Sequence, residues 1–212
     1  MNIEPNTLAW QDAYKLLIGS VLPRPIAFVS TVSRAGEANL APFSFFTGIC
    51  ADPMLVCFAP MVRGSDGGKK DTLRNIEDTQ EFVINIVGEK LAQQMNDTAI
   101  EYGSDVDEFE TVGLTKEPSQ KIQVPRVKES DVHLECVVER ILHFGEHAGA
   151  GSLVIGKVVL VHVRDELYKD GKIITELLQP IGRLAGQMYT KALADTFVLE
   201  RKTIPQKAGE TL

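Results

Sequence analysis

Alternation of apolar and polar positions dominates the chain. Residues 26–32 and 54–59 are short apolar, β-branched runs. Residues 81–87 form a third, with Phe82, Ile84 and Ile86 on one face and Val83, Asn85 and Val87 on the other. From 131 to 139 the period is two: Val132, Leu134, Cys136 and Val138 oppose Asp131, His133, Glu135 and Glu139. Residues 153–163 are rich enough in β-branched side chains, and long enough, to cross a barrel wall. Such density of two-residue periodicity predicts a mainly β, antiparallel core. Helical signals are fewer: residues 71–77, with Asp71-Thr72 as an N-cap, then 90–96, and 184–194 near the C-terminus. Residues 101–125 are polar and acidic and predict a long surface excursion, the kind of segment that serves as a lid or a partner-contacting arm.

Between the strand candidates lies the most distinctive stretch. Pro23-Arg24-Pro25-Ile26-Ala27-Phe28-Val29-Ser30-Thr31 leads into a turn at Arg34-Ala35-Gly36-Glu37, and then Asn39-Leu40-Ala41-Pro42-Phe43-Ser44-Phe45-Phe46 follows. The second block has the look of a sheet edge made irregular by proline, with amide and hydroxyl donors beside aromatic rings. That arrangement suits a flat heteroaromatic ring edged with acceptors; an ordinary hairpin with a proline bulge fits these residues equally well.

Composition narrows the classes. A length of 212 residues with 44% apolar content fits a single domain with a proper core. Twenty-two basic residues against 29 acidic ones leave a net charge of −7, which disfavours a nucleic-acid partner without preventing a local basic pocket for one phosphate. Cys50, Cys57 and Cys136 are odd in number, have no CxxC spacing and sit in apolar runs, so they are expected to be inert core thiols. No signal-peptide pattern opens the chain and no apolar run is long enough to span a bilayer, so a cytoplasmic protein with no membrane partner is expected. The segment after Arg201 is polar and is expected to be a loose tail.

Little in the sequence offers nucleophilic or metal chemistry. There is no Gly-x-Ser-x-Gly elbow and no His-Glu-x-x-His, and none of His133, His143 and His162 has metal-ligand spacing. The loop Arg63-Gly64-Ser65-Asp66-Gly67-Gly68-Lys69-Lys70 before the helix starting near Thr72 is different. Glycines that aim amides at one point, a helix N-terminus, two lysines and the Thr72 hydroxyl make an anion site of phosphate size. A solvated glycine-rich loop followed by a routine threonine cap is the alternative.

These blocks, together with Lys70-Asp71-Thr72-Leu73-Arg74-Asn75-Ile76, Glu81-Phe82-Val83-Ile84-Asn85, Gly182-Arg183-Leu184 and Tyr189, resemble in order and spacing the flavin reductase-like family of FMN-binding split-barrel proteins, which includes flavoredoxin. The resemblance covers residues 14–201. It implies a six-stranded antiparallel split β-barrel with a few peripheral helices, formed by the whole chain as one domain with the tail at 202–212. It further implies that Lys70, Asp71 and Thr72 hold the FMN phosphate and that Ser30, Thr31, Asn39, Ala41, Pro42, Ser44 and Phe45 border the isoalloxazine. Amide N–H groups beside Ala41 and Ser44 would supply donors to the ring. Arg24 would add a fixed positive charge, unless it merely pairs with a surface carboxylate.

Family members carry Gly-Asp-His before an apolar run and Gly-x-Val, and that histidine borders the nicotinamide site. Here Gly145-Glu146-His147 is separated from Gly156-Lys157-Val158 by an inserted-looking Ala148-Gly149-Ala150-Gly151. The expected activity is an FMN-dependent oxidoreductase that passes electrons from NAD(P)H to free flavin, a small acceptor or a partner oxygenase. The alternatives are a flavoredoxin-like electron carrier without NAD(P)H turnover, and a binder of another planar ligand such as haem. A homodimer is expected, with the flavin near the interface and the Pro42 to Phe46 edge and residues 182–189 at the contact.

Overall fold

The computed structural model describes residues 1–201; the tail expected at 202–212 lies outside the described residues. Seven strands build the main sheet: β1 (Ala27–Val32), β2 (Ala38–Phe43), β3 (Phe46–Ala51), β4 (Met54–Phe58), β5 (Glu81–Ile86), β6 (Val132–His143) and β7 (Ser152–Val163). Their order is β2-β1-β5-β6-β7-β4-β3, and every neighbouring pair is antiparallel. The two outermost strands, β2 and β3, are consecutive in the chain and joined only by Ser44 and Phe45. A flat sheet of this width would hold its edges about 29 Å apart at ~4.8 Å per strand. The connection spans at most about 10 Å. The sheet therefore rolls until its edges nearly meet, leaving a barrel open along one seam. This is the split barrel implied by the sequence, with one strand more than expected: β3, which has no buried residue and hence no alternation to betray it.

Inside the roll, Ala27, Val29, Phe43, Phe58, Phe82, Ile84 and Val154 form the core, capped by Leu73 and Ile76 of helix α2 (Asp71–Thr79) once α1 (Trp10–Ser20) has led into β1. Phe58 packs against both Phe43 and Phe82, with ring centroids 5.0 and 5.5 Å away. Gly156 on β7 lets the Phe82 ring approach; a Cβ there would stand 2.3 Å from Phe82 Cζ. The other face of β1 and β5 is covered as well. Phe28, Leu40 and Val87 pack with Met95 of α3 (Ala92–Asp97), Phe109 of α4 (Glu108–Thr111), Leu114 and Val127.

Residues 101–125 are thus not a loose lid. Phe109, Leu114, Ile122 and Val124 are buried, and polar groups of the barrel fasten the backbone around them. Ser30 Oγ donates to the Pro125 carbonyl at 2.6 Å. Asn85 donates to the Phe28 carbonyl, which fixes its Oδ1 as the acceptor for Val127 N–H at 2.9 Å and for His133 Nδ1–H at 2.8 Å. Burial, then the charges of Arg126 and His162, lower the His133 pKa to about 3, so its ring is neutral. Glu135, with no exposed surface, accepts Gln120 N–H at 2.8 Å, Lys121 N–H at 2.7 Å and His162 Nε2–H at 2.5 Å. The face of β6 that reads as polar therefore points into a second buried layer.

Three other expectations are corrected. Residues 184–194 are no helix: β8 (Ile181–Arg183) and β9 (Tyr189–Lys191) form a hairpin turned at Gly186, whose φ of 60° is glycine's region. The N-cap of α2 is Lys70, without a side-chain cap bond, so Asp71 and Thr72 lie in the first turn. Cys50 is exposed on β3 and donates to the Pro53 carbonyl, whereas burial raises the thiol pKa of Cys57 and Cys136. Helix α1 went unforeseen, since Ile18 is its one buried residue.

The Glu135 latch yields a test. Glu135→Ala removes a buried carboxylate and leaves the Gln120 and Lys121 N–H groups and the His162 ring without their acceptor, and is expected to cost about 3 kcal/mol in urea denaturation. Burial alone would raise this carboxyl; the Gln120 N–H, the His162 ring and the Lys121 N–H outweigh it, and its pKa is lowered. Its stabilisation is present above the unfolded carboxyl value and is lost as pH falls through the lower folded one. The cost of the substitution should accordingly shrink below about pH 4; a cost that persists unchanged there would contradict the ionised latch.

Candidate functional site

Strand β2 is an edge, and its backbone alternates. Leu40 N–H points outward and donates to Glu108 Oε2 at 2.9 Å. Asn39 and Ala41 therefore turn their backbone groups toward β1, and Pro42 has no N–H to present. The ring-edge donor expected from the Ala41 amide is spent in the sheet. Side chains alternate too: Thr31 and Asn39 face α2, where Thr31 Oγ1 accepts from Asn75 Nδ2 and Asn39 Nδ2 donates to Thr72 Oγ1 at 3.0 Å. Ser30 faces the opposite side, tied to the excursion. Ser30 and Thr31, both fully buried, line no cavity with the rest of the site.

Asn39, Ala41, Pro42, Lys70, Asp71 and Thr72 do come together, around a cavity of about 80 Å³ whose far wall is Thr98 to Tyr102 and Glu108. Arg63, which the sequence reading passed over, lines it as well. Two of the expected amide donors are missing from this site. Gly67 N–H goes to the Arg63 carbonyl and Gly68 N–H to Asp66 Oδ1, so the glycine-rich loop folds upon itself. What remains is a set of donors of another origin. Leu73 N–H turns to the Lys70 carbonyl at 3.0 Å, which leaves the N–H groups of Asp71 and Thr72 in the first turn of α2 without an intrahelical acceptor. Thr72 Oγ1, having accepted from Asn39, keeps its proton free to donate. Lys70 supplies a charge, and Arg63 Nε is buried without a hydrogen bond, 3.4 Å from Asp66 Oδ1 but off line. Asp71 does not face an anion: it holds Arg74 and lies 3.6 Å from Arg63 Nη1, thereby orienting the arginine. An orphaned buried donor beside a free hydroxyl and a helix N-terminus fits a phosphate, which accepts and never needs to donate.

A second cavity of about 360 Å³ is apolar and aromatic, lined by Trp10, Tyr14, Leu17, Phe45, Met61 and Phe144 among others. The two cavities draw on the same two chain segments: Pro42 and Phe43 line the first and Phe45 the second, Arg63 the first and Met61 the second. Arg24 lies beneath, 3% exposed, its guanidinium 5.9 Å from the Phe45 ring centroid. It donates to the Ile18, Val21 and Leu184 carbonyls and reaches Ser44 Oγ at 3.4 Å, with no carboxylate in ion-pair range among the described residues. Burial lowers its pKa, Tyr14 opposes the shift and Arg183 adds to it. A surface pairing for Arg24 is thereby excluded. Trp10 packs closely on two glycines: a Cβ on Gly149 would stand 2.7 Å from its Cβ and Cγ, and one on Gly64 would stand 3.3 Å from its Cη2. Gly149 adopts φ 89°, and its loop carries His147, which is exposed and whose ring makes no hydrogen bond among the described residues.

Glu108 is the unexpected member of the site. Burial raises its pKa to about 6 in spite of the Leu40 N–H, and Asp107 and Asp71 push the same way. With a folded value above the unfolded one, the stability it contributes is full below about pH 4.5 and lost as pH rises through about 6. Glu108→Gln retains an acceptor for Leu40 N–H without the charge. It should exceed the wild type by about 1 kcal/mol at pH 8, allowing for partial solvent screening, and match it near pH 4. A difference independent of pH would refute the raised carboxyl.

Comparison with known proteins agrees with this architecture. Residues 18–178 match the family described as flavin reductase like domain. An uncharacterized protein of Halalkalibacterium halodurans is 44% identical over 208 residues, which cover 97% of this chain and 99% of that one. The crystal structure of nitrilotriacetate monooxygenase component B from Bacillus cereus superposes with a TM-score of 0.88 at 41% identity, covering 94% of this chain and 98% of the other. That of 2-nitrobenzoate 2-nitroreductase from Pseudomonas fluorescens gives 0.86 at 33% identity, over 99% and 100% of the two chains. With its family match spanning most of its length and its rolled sheet shared end to end with these proteins, the chain belongs to the flavin reductase-like family.

Proposed function

We propose that the protein is an FMN-dependent oxidoreductase that takes electrons from NAD(P)H and passes them to free flavin, a small acceptor or a partner protein such as an oxygenase. The observation that carries this reading is that two cavities of complementary chemistry are walled by the same two chain segments. A donor-lined pocket of phosphate size and an aromatic pocket of ring size are built from the same two segments, 42–45 and 61–63. Flavin, when bound, supplies the two-electron chemistry that no side chain of this site offers. In this reading Lys70, Thr72, Arg63 and the first turn of α2 bind the phosphate, with Asn39 and Asp71 orienting Thr72 and Arg63. Pro42, Ser44 and Phe45 border the ring. Arg24 carries the charge that a guanidinium keeps at any ordinary pH, and with no carboxylate beside it to offset that charge its field favours negative charge on the ring. The similar proteins named as a monooxygenase component and a nitroreductase support an oxidoreductase, and they differ in acceptor.

One observation favours an electron carrier instead. His147, the nicotinamide-site candidate, is exposed and held by no hydrogen bond among the described residues, so nothing presents its ring to the aromatic cavity. Anaerobic titration of the flavin-loaded protein with NADH and NADPH separates the readings. Bleaching of the flavin absorbance at catalytic rates is expected, and flavin that stays oxidised would leave the carrier. Lys70→Ala combined with Thr72→Ala should weaken FMN by about 3 kcal/mol or more; unchanged affinity would remove that pocket from the site.

The proposal includes a homodimer. Its support is a set of exposed apolar side chains on the three strands that end in the β3 edge: Ile49 on β3, Met54 on β4, then Val159 and Val161 on β7. The Pro42 to Phe46 edge contributes less bare surface than its sequence suggests, since Phe43 is buried and Phe45 and Phe46 are half-buried. An unpaired edge strand with apolar neighbours invites a self-complementary partner. Sedimentation should give twice 23.3 kDa, and Ile49→Lys with Val161→Lys should shift the species toward monomer; a monomeric wild type that holds FMN tightly would refute the pairing. No helix among the described residues is long and apolar enough to cross a membrane.

A further inference from the structure

The donor-lined pocket is already met by an anion of the chain itself. Glu101, on the segment that follows α3, accepts from Ser65 Oγ at 2.7 Å through one carboxylate oxygen and lies 3.9 Å from Lys70 Nζ through the other. Ser65 and Lys70 both belong to the loop that runs from Arg63 into α2, and Lys70 is one of the groups proposed to hold the phosphate, so a single carboxylate bridges two points of that loop. Its own anchorage is firm: Thr98, 2% exposed, donates to the Met95 carbonyl at the end of α3, and the Tyr102 hydroxyl donates to the Asp97 carbonyl. The side chain between these anchors is exposed enough to swing clear, with 42% of it accessible.

We propose that Glu101 is an intramolecular stand-in for the cofactor phosphate, closing the anion loop when no flavin is bound and yielding Lys70 to FMN when it enters. The inference rests on the FMN reading above. A carboxylate and a phosphate present the same kind of acceptor to an ammonium and a hydroxyl, and the ammonium cannot lie close to both while the two anions repel. The other carboxylates around the pocket cannot play this part. Asp71 is engaged by Arg63 and Arg74, and Glu108 is buried against Leu40 N–H. Competition from Glu101 lowers the affinity for any ligand whose phosphate must reach Lys70. It leaves untouched a ligand that has the ring and ribityl chain but no phosphate.

The test is a titration of the full-length flavin-free chain with FMN and, separately, with riboflavin. Glu101→Gln keeps the side chain's length and removes its charge. It is expected to bind FMN about two- to fivefold more tightly than the wild type, the range set by a partly exposed ion pair. Riboflavin affinity should stay the same, and the FMN difference should narrow as salt rises. In a Lys70→Ala background the same substitution should give no tightening. FMN binding that is unchanged or weaker in Glu101→Gln, while Lys70→Ala still weakens it, overturns the stand-in and spares the phosphate site. Equal tightening of FMN and riboflavin also overturns it, since the phosphate would then be irrelevant. FMN affinity indifferent to Lys70→Ala overturns the site reading and the inference with it.

Discussion

The architecture depends on one short connection. Because Ser44 and Phe45 alone join the two outermost strands, the sheet has no choice but to roll, and polar and charged side chains gather around the cavity beside the β2 edge. The seam keeps β2 an edge, so Pro42 and the Leu40 N–H remain unpaired by a strand. It brings Phe45 over Arg24, and it sets α2 across the barrel mouth with its N-terminus beside that edge. An edge strand is a hazard when bare. Here Glu108 occupies the outward Leu40 amide in the middle of the strand, and proline removes the next.

Charge placement follows from the same geometry. The cavity at the seam collects Arg63, Lys70, Asp71, Glu101 and Glu108, and each carboxylate is answered differently. Asp71 is held by arginines, Glu101 leans on the loop lysine, and Glu108 is protonated more readily than an ordinary carboxyl. On the far side of β1, Ser30, Asn85 and Glu135 do purely structural work, converting a 25-residue polar stretch into a packed wall through hydrogen bonds to its backbone. Buried polar groups thus serve two ends: one set fastens the wall, the other is left with a donor unspent.

The barrel strands were legible because one face of each meets the core: Phe82, Ile84, Leu134 and Cys136 alternate as they should. What escaped was whatever lacks such a face. Helix α1 buries Ile18 alone, and β3 buries nothing. Residues 184–194 have helix-tolerant composition, but Arg183 and Tyr189 are placed by a turn at Gly186 that local patterning does not reveal. At the site, Lys70, Thr72, Asn39 and Pro42 were readable from their blocks. Arg63 was not, since its place depends on Asp71 and on the fold of the loop between them. Ser30 and Thr31 look alike in sequence, yet strand alternation sends one to the excursion and the other to α2. The glycines at 67 and 68 invited a phosphate cradle and instead satisfy their own loop.

Trp10 is the only tryptophan in the chain. It is wedged between Gly64 of the glycine-rich loop and Gly149 of the loop that bears His147. The protein thereby carries a built-in optical reporter: indole emission originates at one spot, on the wall of the aromatic cavity, where a flavin bound as proposed would quench it or take up its energy. A shift of either loop moves the same ring, so a single spectroscopic signal registers both.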